Sequence, residues 1–115
     1  MEIVVHHAGG GRIAEIVSDH VLIANADDAL QLLGDLFYQE FAKVLIREKN
    51  ITPDFFDLKT GIAGDVLQKF SNYRFSLAII GDFDRYTSNS LRDFIYESNK
   101  GRLVNFLPTV EAALK

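Results

Sequence analysis

The sequence has no cysteine at all. Without thiols there can be no disulfide staple and no thiolate metal site, and the chain suits a reducing compartment. A basic stripe is also missing. Twelve Lys and Arg against sixteen Asp and Glu leave a formal charge of −4, and the cations are scattered, so nucleic acid is excluded as an expected partner. The opening Met-Glu-Ile-Val-Val-His-His has neither the basic start nor the apolar core of a signal peptide. No segment approaches the roughly 18 uninterrupted apolar residues of a membrane span. Repeats, low-complexity tracts and linkers are absent as well. What is present is apolar mass: 48% hydrophobic residues and nine Phe in 115 residues, enough for one real core. The expectation is a single domain, 1–115, in a cytoplasmic protein with no membrane partner.

Ile3 to His7 alternates loosely, Gly9-Gly10-Gly11 follows, and Arg12 to Val17 alternates again, so the first eighteen residues read as a β-hairpin. The glycines run into a second strand rather than a helix, which favours a turn over a phosphate loop. His6 and His7 are adjacent and point to opposite faces of a strand, and His20 is isolated, so no metal site is expected. Ser18-Asp19 turns the chain, and His20–Ala24 reads as a short strand or bridging stretch. Asn25 caps a helix whose Ala29, Leu30, Leu33, Leu36 and Phe37 recur at helical spacing to about Gln39. Lys43–Arg47 has the pattern of a strand covered on both faces. In the long connection from Glu48 to Lys59, Thr52-Pro53 predicts one short helical turn.

The stretch Asp54–Phe70 joins a polar, glycine-broken loop to an amphipathic helix. Leu58, Ile62, Ala63, Val66, Leu67 and Phe70 share one side, while Gly61, Gly64, Asp65 and Gln68 share the other. Lys59 falls in the apolar arc, so the regular helix is expected to begin at about Thr60 or Gly61. Thr60 would then be its hydroxyl cap, with free amides at Gly61 and Ile62. Two glycines at i, i+3 weaken a helix by about 1 kcal/mol each, which suggests a close approach on that face. The helix ends near Asn72, and Phe75–Gly81 is the strongest strand, expected in the sheet interior. Thr87 or Ser88 caps a further helix closed by Lys100-Gly101. Leu103–Phe106 is a last strand, and Val110–Leu114 a terminal helical segment. Hairpin, helix, strand, helix, strand, helix, strand, helix is the order of an α/β layer, with a small, mixed, mostly parallel sheet and crossover helices.

Several of these stretches, Asp54-Phe-Phe-Asp-Leu-Lys-Thr-Gly-x-Ala-Gly64, Gln68-Lys-Phe70, Asn72-Tyr-Arg74, Ala78-Ile-Ile-Gly-Asp-Phe83 and Tyr86 to Gly101, together resemble a bacterial family known only as a domain of unknown function. The likeness covers nearly the whole chain. More loosely, the element order resembles the STAS or SpoIIAA-like fold. In antagonists of anti-sigma factors with that fold, a phosphorylatable Ser or Thr before Gly opens the helix after the third strand. That resemblance implies a phosphosite at Thr60, although Lys59 and a longer loop depart from the usual Asp-Ser-Ser-Gly turn.

In open α/β sheets ligands bind beyond the carboxyl ends of the strands, so the loops after Arg47 and Gly81 should border one crevice. Asp57, Lys59, Thr60, Gly61, Asp82, Arg85 and Thr87 are the candidate binding residues there. The leading expectation is a small regulatory or interaction domain that binds a protein partner or a small anionic ligand, switched by phosphorylation at Thr60 and needing no cofactor. The plainer reading makes the aspartates turn caps and pairs Lys59 and Arg85 with them. The alternative is a Mg²⁺-assisted phosphoryl hydrolase using Asp82, Asp84 and Asp54, since hard cations want carboxylate oxygens. No cysteine, no Gly-x-Ser-x-Gly elbow and no crevice histidine speak for nucleophilic catalysis, so no catalytic residue is assigned.

Overall fold

The computed structural model describes all 115 residues. Strands β1 (Glu2–Ala8) and β2 (Gly11–Val17) form the expected hairpin, with Ala8 opposite Gly11 and Glu2 opposite Val17. Gly9 and Gly10 make its two-residue turn with φ of 59° and 80°. Positive φ at both positions is the type I′ geometry that matches strand twist and that glycine adopts freely. Helix α1 (Ala26–Tyr38) is capped by Asn25, whose side chain accepts from the Asp28 amide at 2.9 Å. Strand β3 (Lys43–Arg47) leads into three 3₁₀ turns, Glu48–Asn50, Pro53–Phe56 and Leu58–Thr60. The middle turn is the one expected from Thr52-Pro53, whose Thr hydroxyl accepts from the Asp54 amide. Then come α2 (Ile62–Tyr73), β4 (Ser76–Ile80), α3 (Asn89–Lys100), β5 (Val104–Leu107) and α4 (Val110–Ala113). His20–Ala24 contributes only an isolated bridge, Ile23 to Ile51. Ser88 caps α3, and Gly101 closes it, its amide donating to the Ser98 carbonyl while its backbone is extended (φ −97°).

The sheet runs β1-β2-β3-β4-β5, antiparallel between β1 and β2 and parallel thereafter. Strand β4 lies between β3 and β5, as its apolar run requires. Each parallel strand is the immediate neighbour of the one before, so right-handed crossovers place α1, α2 and α3 on the same face. Beneath them lies the main core, which includes Ile16, Leu33, Leu36, Val44, Ile46, Val66, Phe70, Leu77, Ile79 and Phe106. Each such side chain taken fully out of water contributes about 1.5–3 kcal/mol before entropy is counted. The other face is covered only by α4, which seals Ile13, Leu45 and Ala78 under Ala113, Val110 and Leu114. Lys43 donates to the Ala113 carbonyl at 2.7 Å and ties this short helix down. Burial lowers the Lys43 pKa from its ordinary value. No helix is long and apolar enough to cross a membrane.

Candidate functional site

A sheet whose order never reverses has no switch point, so the crevice expected between the loops after β3 and β4 must be made by the loops alone. Those loops close it. Phe55 and Phe56 from the middle 3₁₀ turn are buried, and Phe56 stacks on Tyr86 with centroids 5.2 Å apart and lies 6.1 Å from Phe83. Glu48 fills the remaining space, its carboxylate accepting from Arg85 and from the Tyr86 hydroxyl. Burial, reinforced by the Glu48 hydrogen bond, pushes the Tyr86 hydroxyl up to about 12, so it remains a donor. The Arg85 guanidinium also lies 4.6 Å from the centre of the Tyr86 ring.

This closure depends on Gly81. A Cβ there would stand 2.6 Å from Glu48 Oε1, 2.9 Å from Glu48 Cβ and 3.2 Å from Phe83 Cζ. Gly81→Ala is therefore expected to cost about 1–3 kcal/mol by overpacking, measured by urea denaturation.

The open space lies one strand over. A groove of about 570 Å³ runs beyond the ends of β4 and β5, lined by Gly81 to Asp84, Ile95, Asn99, Phe106 and Pro108. Its apolar part is Phe83, Ile95 and Phe106, held by edge-on packing of Phe83 against Phe106 at 5.3 Å. Asp82 and Asp84 give it an acidic rim. Asp82 Oδ1 accepts from the Asp84 amide at 3.2 Å, and neither carboxylate has an ion-pair partner.

The predicted residues therefore divide. Asp82 lines the groove, Arg85 is committed to Glu48, and Thr87 is exposed with no side-chain hydrogen bond. Asp57, Lys59, Thr60 and Gly61 form the turn before α2, and none of them lines the groove. Asp54, Asp82 and Asp84 do not converge, and nowhere do three His, Asp or Glu side chains gather as a metal ligand set. Glu48, Ile95, Asn99, Phe106 and Pro108 were not anticipated, because only the fold brings them to one place.

At the α2 start, Gly61 rather than Thr60 is the capping residue, with φ of 78°, a conformation that explains its glycine. The Gly61 amide donates to the Leu58 carbonyl and the Ile62 amide to Thr60 Oγ, so neither is free. Gly64 has no atom of the chain outside its own helix backbone within 4 Å of a Cβ built there, so no backbone or loop of this protein makes the close approach expected on that face. The Thr60 hydroxyl lies 2.7 Å from the Asp54 carbonyl and 2.9 Å from that of Asp57, and its single proton serves both. Removing it in Thr60→Ala is expected to cost about 1–2 kcal/mol. Thr60→Asp, whose carboxylate would face two carbonyl oxygens, should melt at least as early as Thr60→Ala. That reverses the near-neutral result expected of a simple cap.

A second polar cluster lies on the sheet face that α4 leaves uncovered. Glu15 accepts from His6 Nε2 at 2.8 Å and from Arg47 at 2.7 Å. The His6 hydrogen bond, then that of Arg47, holds the Glu15 carboxyl below its ordinary value, against the opposing effect of burial. A carboxyl depressed in the folded state adds stability above its unfolded pKa, and that stability is lost as pH falls through the folded value. The melting gap between the parent and Glu15→Gln should accordingly narrow as the pH falls below 4.5, the ordinary glutamate value.

No curated protein and no solved structure matches the chain, so the likeness to the STAS or SpoIIAA-like fold remains one of element order. Residues 8–115, which include every element from β2 onward and the whole groove, match one family, and the chain therefore belongs to DUF4180, a domain of unknown function.

Proposed function

We propose that this domain is a small cytoplasmic interaction module that docks a protein partner at the groove beyond β4 and β5. The partner inserts a basic side chain there. The observation that carries this reading is the pairing of an aromatic floor, Phe83 and Phe106, with the two unpaired carboxylates of Asp82 and Asp84. A Lys or Arg buries its aliphatic stem on apolar surface and keeps its charge in water, where carboxylates can meet it. The same arrangement disfavours a small anion, because the groove lining carries two carboxylates and no cation, and Arg85, next to Asp84 in the chain, is already held by Glu48.

Regulation at Thr60 fits this reading through a definite route. A phosphoryl group on Oγ would remove the donor shared by the Asp54 and Asp57 carbonyls and loosen the turn carrying Phe55 and Phe56. Those rings pack on Phe106 and Phe83, so the disturbance reaches the groove floor.

The test is affinity capture from cell extract with the parent and with an Asp82→Asn, Asp84→Asn double variant as bait. Asn keeps the Oδ1 acceptor at position 82 and removes only charge. Capture of the partner should fall at least about tenfold in the variant, the loss expected for charge-assisted contacts, with unchanged melting. Undiminished capture would sink the proposal.

A further inference from the structure

The two edges of the sheet are finished differently. On β5, Leu103 and Leu107 carbonyls pair with β4, so Val104 and Phe106 present their backbone groups outward. Those groups are closed by α3: Ser98 Oγ donates to the Val104 carbonyl, Asn99 Oδ1 accepts from the Phe106 amide at 2.7 Å, and Asn99 Nδ2 donates to the Phe106 carbonyl at 3.1 Å. Asn99 thereby does the hydrogen bonding of a sixth strand.

The β1 edge has no such cover. In a two-residue hairpin the residues flanking the turn form a hydrogen-bonded pair, so Ala8, His6, Val4 and Glu2 direct their backbone toward β2. The phase is confirmed on β2, where the alternate carbonyls of Arg12 and Ile16 point the other way, accepting from the Ala42 amide and the Arg47 side chain. Ile3, Val5 and His7 therefore present free amides and carbonyls along the outer edge. The strand carries no Pro and no Lys, the usual guards of an open edge. Met1, Val5 and Val17 add exposed apolar surface on the same hairpin.

We propose that this edge is occupied by β1 of a second copy, antiparallel about a two-fold axis at Val4. With this register Ile3 pairs with the partner's Val5 and Val5 with the partner's Ile3, both through the outward-facing backbone groups, while Val4 meets the partner's Val4. Glu2 then stands directly opposite the partner's His6 in a non-hydrogen-bonded pair, where side chains are closest. On both sides of the axis a carboxylate thus faces an imidazole whose Nε2 is already bonded to Glu15 of its own copy. Centring the pair on Val5 would instead set Glu2 against the partner's Ala8, which offers it no polar side chain. The result is a continuous ten-stranded sheet whose two outer edges are the closed β5 edges.

The absence of native cysteine makes the register directly readable. A Val4→Cys protein should form an interchain disulfide on mild oxidation, and Val5→Cys, displaced from its own copy, should not. Sedimentation velocity of the parent at about 100 μM, where a micromolar contact is filled, should show a dimer. Val5→Pro should be monomeric yet melt like a folded protein, because it removes only an outward amide and proline is tolerated on an edge. If Val5→Pro does not fold, Val5→Lys supplies the same reading. A parent that is monomeric at that concentration, or a folded Val5→Pro or Val5→Lys that stays dimeric, would overturn the proposal. Cross-linking through Val5→Cys and not Val4→Cys would overturn the register.

Discussion

Phe106→Ala is expected to lower stability by about 3–5 kcal/mol, the range for deleting a buried aromatic ring. Phe106 is 3% exposed and sits where three elements meet, with ring centroids of Phe83, Phe94 and Phe55 at 5.3, 6.2 and 6.3 Å. Its backbone is fixed by Asn99 and the β4 ladder, so the surrounding rings cannot simply fall inward to fill the space. Urea denaturation of the parent, Phe106→Ala and Phe106→Leu would check this, with Leu recovering much of the loss because it restores volume. The same deletion removes the groove floor, so partner capture should fail even at temperatures where the Ala variant is still folded.

Asn50→Ala should cost about 2–3 kcal/mol, and Asn50→Asp more. Asn50 is the single buried polar residue, fully inaccessible, and its amide donates to the Ser18 and His20 carbonyls at 2.8 and 2.9 Å. Its Oδ1 accepts from the Arg47 amide, and its own carbonyl accepts from Leu22 and Ile23. The residue thus pins the 18–23 segment to the end of β3. Truncation leaves two carbonyls without donors, each a penalty of about 1–3 kcal/mol when water cannot replace the bond, offset here by their partial exposure. An aspartate in the same place loses both donors and forces a buried charge against the carbonyls. Thermal melts of the three proteins at neutral pH should rank parent, Ala, Asp in falling order.

Much of the architecture was legible because its signals are local. The glycine turn, the Asn25 cap, Thr52-Pro53 and the Thr87 or Ser88 cap each act on residues within four positions, and the structure keeps all four, with Gly11 moved into β2 and Ser88 as the cap. The apolar run ending at Gly81 likewise marked β4 as interior. The groove was not legible, since its walls are set by pairings far apart in the chain. Glu48 and Gly81 read separately as a loop charge and a strand terminator, and only their contact explains the glycine. Phe55, Phe56, Phe83 and Tyr86 carry no periodicity that distinguishes a plug from a lining. Asn50 lies in the charged run Glu48-Lys-Asn50, and its partners are 30 and 32 residues away. The open crevice expected beside Thr60 failed for the same reason, as the rings that fill it come from two separate loops.

The central claim is that a partner's basic side chain enters the groove at Asp82 and Asp84. A photoreactive phenylalanine analogue placed at Pro108, exposed on the groove wall, reports this directly against the same analogue at Tyr38, which is 92% exposed on α1 and outside the groove. After irradiation in cell extract, mass spectrometry of the adducts should find a partner peptide at position 108 with Lys or Arg beside the cross-link, and no such adduct at position 38. Equal labelling at both positions, or adducts at 108 from segments without a basic residue, would contradict the account.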